Sequence, residues 1–139
     1  MSGTILQLHD STLVSVSLNA DDEARVRFDP GMVVKSQGIP RVDASTLWRQ
    51  SGELVIPEAE IEGEPPELPV TVRDGSMETG GLKYMDMVPV PLDDVGYAEL
   101  RLSFADGAPE LVIRGAGARL EMEDIPKYIK HIEETQPEG

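Results

Sequence analysis

His9, Asp10 and Ser11 stand side by side in "QLHDST", residues 7–12. They are the three side chains of a hydrolase triad, and His-Asp alone is the doublet of a large class of metal-dependent phosphohydrolases. A triad needs serine and histidine within hydrogen-bond reach, with the aspartate on the far side of the imidazole. Consecutive residues rarely achieve this. In an extended segment His9 and Ser11 point one way and Asp10 the other. No Gly-x-Ser-x-Gly elbow presents a nucleophile. A metal phosphohydrolase needs further His and Asp ligands, and the one other histidine is His131. The simpler reading is a turn, in which Asp10 and Ser11 hydrogen-bond local amides ahead of a strand at Thr12.

Other chemistries fare similarly. "RGAGAR" at 114–119 contains Gly-x-Gly, but a dinucleotide fingerprint requires a helix next and a βαβ unit around it. The alternating "LEMED" follows instead, so the spacing predicts a hairpin turn. Without cysteine there is neither a disulfide nor a thiolate metal site. Zinc would fall to His9, His131 and carboxylates, with no diagnostic spacing. Calcium suits the charge, but no Asp-x-[Asp/Asn]-x-[Asp/Asn]-Gly loop occurs. Aromatic residues are 4% of the chain, which leaves little for a sugar platform; Tyr84, Tyr97 and Trp48 are the candidates. A glycosidase would also need two carboxylates at a set separation. No metal or cofactor is expected.

The elements that must position these residues read as strands. Val14, Val16 and Leu18 alternate with serines. After "NADD", Ala24, Val26 and Phe28 alternate with Glu23, Arg25 and Arg27, which predicts a hairpin. Leu54 and Ile56 mark another strand. Leu68, Val70 and Val72 mark one closed by Asp74-Gly75. Ala98, Leu100, Leu102 and Phe104 turn at Asp106-Gly107 into Leu111 and Ile113; Gly115 and Gly117 turn the chain again into Leu120 and Met122. "MVPVPLD" carries prolines that cannot donate ladder hydrogen bonds, so it should be an edge strand with Val88, Val90 and Leu92 inward. Near the C-terminus Ile125, Tyr128, Ile129 and Ile132 recur at helical spacing behind Asp124 as cap and Pro126 in the first turn. That predicts a short amphipathic helix; a final strand with Tyr128, Lys130 and Ile132 on one side is the competing reading. The expected architecture is an all-β, antiparallel β-sandwich of jelly-roll-like type with a short C-terminal helix. Residues 1–134 form its single domain and 135–139 a flexible tail.

Charge narrows the partners. The 139 residues carry 26 acidic and 12 basic side chains, a net charge of −14. Such a surface repels phosphate backbones and anionic membranes and favours a basic protein or a cation. In "PEAEIEGEPPE", Glu58, Glu60, Glu62 and Glu64 alternate with Ala59, Ile61 and Gly63, so an extended chain would align all four carboxylates. This stripe is the candidate contact for a basic partner. No apolar run reaches the length of a membrane span and the start lacks a signal-like pattern, so a cytoplasmic location is expected.

"LHDSTLVSVSLN" with its following "VRF", and the later "ELVIPEAEIEG", "DGSM", "VPVPL" and "LVIRGAGARLEME", resemble a group of small bacterial β-sandwich proteins without an assigned activity. Similar β-rich families include immunity proteins against toxins of neighbouring bacteria. What the resemblance implies is an acidic, non-catalytic protein that neutralises a basic toxin. The favoured reading is therefore a non-enzymatic binding protein engaging a basic protein partner. Two others remain open: a ligand- or carbohydrate-binding module, and a cryptic metal-dependent hydrolase using His9 and His131.

Overall fold

A computed structural model describes residues 3–36 and 44–132. Eleven strands follow one another: β1 (Gly3–Gln7), β2 (Thr12–Leu18), β3 (Ala24–Ser36), β4 (Ser45–Ile56), β5 (Glu60–Glu62), β6 (Val70–Thr79), β7 (Leu82–Met85), β8 (Met87–Val90), β9 (Asp93–Phe104), β10 (Leu111–Met122) and β11 (Lys127–Ile132). All pairings are antiparallel. Six strands close on themselves in the order β4-β10-β9-β6-β2-β3 and back to β4. The expected sandwich is thus corrected to a closed six-stranded barrel with additional strands outside it. Period-two alternation is identical in the two architectures. What separates them is whether a ladder joins β2 to β6, and that ladder is only Thr12↔Thr71 and Leu13↔Val70.

The barrel interior follows the alternation. Val26 and Phe28 of β3, Leu54 and Ile56 of β4, Val72 and Met77 of β6, Leu100 and Leu102 of β9 and Ile113 of β10 are fully buried in one cluster. In β2 a bulge between Leu13 and Ser15 shifts the phase. Leu13 is then fully buried, Val16 packs at the margin and Leu18 is exposed.

Strands β3 and β4 are too long for the barrel and leave it. Ala24–Phe28 pairs with β2, whereas Met32–Ser36 pairs with β1, and the register breaks between Phe28 and Gly31. Gly31 is required there: a Cβ would lie 2.8 Å from the Gln50 carbonyl oxygen and 2.8 Å from Leu6. In β4, Gly52–Val55 pairs with β10, while Ser45–Arg49 pairs with β11. The outgrown halves form an outer sheet in the order β8-β1-β3-β4-β11. β8 is its edge on one side, as the prolines predict. Val88 and Leu92 are buried and Val90 packs against the core.

The C-terminal helix is likewise corrected to strand β11, the competing reading, although the bulge between Tyr128 and Lys130 puts Tyr128 on the face opposite Lys130 and Ile132. Asp124 has φ +64°, whereas a helix N-cap needs β-region backbone. The free ladder edge of the outgrown β4 supplies hydrogen bonds, and Tyr128 faces Trp48 across it. Two expected turns are also corrected. Gly115–Gly117 is a bulge inside the continuous β10, and Asp74-Gly75 lies inside β6 beside a register shift. The turns at Asp22 and Gly107 stand where expected, both with positive φ. Residues 135–139 lie outside the described part.

Gly115, which opens the bulge in β10, cannot accept a side chain. A Cβ on Gly115 would sit 2.4 Å from both Ile56 Cγ2 and the Pro57 carbonyl oxygen. Gly115→Ala is expected to lower stability by about 2–3 kcal/mol, read as the urea midpoint at unchanged m-value.

Candidate functional site

The His9–Ser11 turn is built by long-range contacts. Asp86, on the β7–β8 connection, accepts the His9 backbone N–H at Oδ1 (2.8 Å). Its other carboxylate oxygen contacts His9 Nδ1. Asp86 and Asp10 both have positive φ, +57° and +67°, a conformation Asp tolerates better than most residues. The Asp10 N–H donates to the Val72 carbonyl (2.9 Å), and the Val72 N–H donates to that of Ser11 (2.9 Å). These two bonds continue the short β2–β6 ladder, so the turn helps to close the barrel. Ser11 is fully buried. Its hydroxyl donates to the Gln7 carbonyl (2.6 Å) and accepts from the Met32 N–H (2.9 Å).

This geometry decides the triplet's chemistry. The serine proton is committed to Gln7, away from the imidazole, so Ser11 is not a nucleophile poised on His9. Holding Nδ1 on a carboxylate leaves Nε2 to act as base or ligand. His9 borders an open groove of about 390 Å³ with Gln7, Asp10, Leu47, Lys130 and His131. Both histidines therefore edge one groove. On β11, Lys130 pairs with Leu47 and His131 with Thr46, so these two neighbours leave the strand on opposite faces. Among the described residues no group of three His, Asp or Glu side chains could hold a metal ion.

The acidic stripe is reshaped. Glu58 has φ +48° and Gly63 φ +94°, so only Glu60 and Glu62 share a strand, with Ile61 packed against the core between them. β5 pairs with β10, and Arg114 there binds Glu62 (2.9 Å). The Ala59 N–H donates to the Asp22 carbonyl (2.7 Å) and draws the Asp21-Asp22 turn against this stretch. Asp21, Asp22, Glu58, Glu60 and Glu64 are exposed and form no ion pair among the described residues. The turn could be read from sequence, but its proximity to the stripe could not.

Beside this end lies a denser network. Glu99 is only 8% exposed. It accepts hydrogen bonds from Arg101 (3.0 Å), Arg114 (2.8 Å) and the Tyr97 hydroxyl (3.0 Å). Burial pushes its carboxyl up, but the two guanidiniums and the phenol outweigh burial and hold it below the usual carboxylate range. The sugar-platform candidates are dispersed. Tyr97 is spent on Glu99, Tyr84 is half-buried on β7, and Trp48 is half-buried edge-on to Tyr128, with ring centroids 5.4 Å apart.

Comparison with protein families, with curated proteins and with solved structures returned no match for this chain.

Two measurements check the site. Ser11→Ala removes one donor and one acceptor from a fully buried position and should cost about 2 kcal/mol by urea denaturation. Because Glu99 has a lowered folded-state pKa, its contribution is present above the unfolded value and is lost as pH falls through the folded one. Glu99→Gln should thus cost about 1–2 kcal/mol at pH 7. The wild-type advantage should vanish on acidification below the usual carboxylate range, followed as stability against pH.

Proposed function

We propose that this protein is a non-catalytic binding protein whose acidic end engages a basic protein partner. The observation that carries this reading is the 2.7 Å hydrogen bond from Ala59 to Asp22. It joins two acidic segments into one surface whose five exposed carboxylates, Asp21, Asp22, Glu58, Glu60 and Glu64, lack counter-cations among the described residues. Two neighbouring acids do not add to it. Glu62 is neutralised by Arg114, and Glu23 by Arg25, with Arg119 nearby (3.8 Å). Unpaired exposed carboxylates cost little in the free protein and attract cations over a Debye length, so they raise the association rate of a basic partner. A basic toxin is the concrete partner suggested by the family resemblance. Among the described residues no helix is long and apolar enough to cross a membrane.

The test compares two sets of neutralised variants in capture of basic proteins from a lysate. Asp21→Asn, Asp22→Asn, Glu58→Gln, Glu60→Gln and Glu64→Gln together should abolish capture at low salt and slow association at least tenfold. A control set of equal charge change at Asp93, Asp106, Glu110, Glu123 and Asp124 should have little effect. Equal loss in both sets would show that net charge alone is responsible and would sink a localised site.

A further inference from the structure

The outer sheet has two open edges, and the chain treats them differently. β8 carries Pro89 and is followed by Pro91, so it offers few donors to another strand. β11 contains no proline, and among the described residues it pairs only with β4. Among the described residues nothing pairs with its outer main-chain groups. Tyr128 and Ile129 on it, and Ile125 just before it, are 56%, 37% and 82% exposed.

Cations surround this edge. Lys127 and Lys130 lie on β11, Arg49 pairs opposite Lys127, and Lys35 stands 4.5 Å over the Trp48 ring. Apart from Lys83, these are the described lysines and arginines without a carboxylate partner. Asp29 and Asp124 border the hollow beside Arg49 and Lys127 and bound the strip on that side. β3 connects this region to the acidic end: Ala24 lies beside the Asp21-Asp22 turn and Lys35 is eleven positions on. At about 3.3 Å per residue the two ends are roughly 35 Å apart. In a chain of net charge −14 the described residues here form a separate, locally basic surface.

We propose that the outer edge of β11 is a docking strand for an extended, acidic peptide segment of a partner protein. Strand addition would satisfy the open N–H and C=O groups. Carboxylates at alternate guest positions would meet Lys127 and Lys130, and apolar positions would cover Tyr128 and Ile129. The same lysines repel a second β11, so charge disfavours self-pairing while selecting an acidic guest. The register break between Tyr128 and Lys130 divides the edge, so the guest ladder is short.

The probe is a fluorescein-labelled hexapeptide of alternating glutamate and valine, added to the full chain and followed by fluorescence polarisation. Saturable binding is expected, with protection of β11 amides in hydrogen exchange. Lys127→Glu with Lys130→Glu, both at exposed positions, should weaken binding at least tenfold at unchanged melting temperature. N-methylation at every position of the peptide should abolish binding. Failure to bind the acidic peptide better than its glutamine counterpart overturns the proposal. So does equal binding of the N-methylated peptide, which would indicate electrostatic adhesion without strand addition. Dimerisation lost in the double variant would assign the edge to a second copy. Tighter binding of an oligothymidine would assign it to nucleic acid, and either result rejects the acidic peptide.

Discussion

The barrel closes through its shortest ladder. β2 and β6 share two residue pairs, too few to hold two strands that must also seal the core over Leu13, Val70 and Val72. The main-chain bonds of Asp10 and Ser11 to Val72 lengthen this seam. The turn that makes them is fixed from the opposite side by Asp86 and from within by the buried Ser11 hydroxyl. A buried hydroxyl with both a donor and an acceptor role filled stabilises one backbone geometry. An unsatisfied one would cost more than the bond contributes. Ser11, of a residue type found in a catalytic triad, here supplies a structural hydroxyl at the point where the sheet becomes a cylinder.

The second constraint is strand length. β3 and β4 exceed what the barrel can pair, so their outer halves acquire β1, β8 and β11. This arrangement also sorts the charges. The inner ends lead to Asp21, Asp22 and the Glu58–Glu64 stretch, while the outer ends carry Lys35, Arg49, Lys127 and Lys130. Between them the arginines of β3, β9 and β10 are consumed by Glu53, Glu123, Glu99, Glu110 and Glu62. Charge that is paired in the middle and unpaired at the ends produces two surfaces of opposite sign.

Strand existence was legible for β2, β3, β4, β6, β8, β9 and β10, because alternation is a local property that a half-buried strand displays, whereas the short strands β1, β5 and β7 carry too few alternating residues to announce themselves. Phe28, Leu54, Ile56, Leu100 and Phe104 are buried as their parity requires. Proline placed β8 at an edge for an equally local reason. Asp-Gly and Gly-x-Gly were less reliable, since glycine serves a bulge as readily as a turn. Gly115 is needed for close approach to Ile56 and Pro57, contacts between distant parts of the chain. At 125–132 four apolar residues matched a helical period, yet so short a helix has little stability of its own. The open edge of β4 decided the outcome.

By itself the sequence determined the all-β class, the buried faces of β3 and β9, the strong acidity and the turn character of "LHDS", because all of these depend on residue type and near-neighbour spacing. Only the tertiary structure decided that the sheet closes, that Asp86 is the partner of His9 and that β11 is a strand. It alone placed Asp22 against the Glu58–Glu64 stretch. Each of these depends on segments tens of residues apart meeting in space. Hydrogen bonds and charge pairs at that range leave no period in the sequence, since either partner is an ordinary polar residue until the fold brings the other to it.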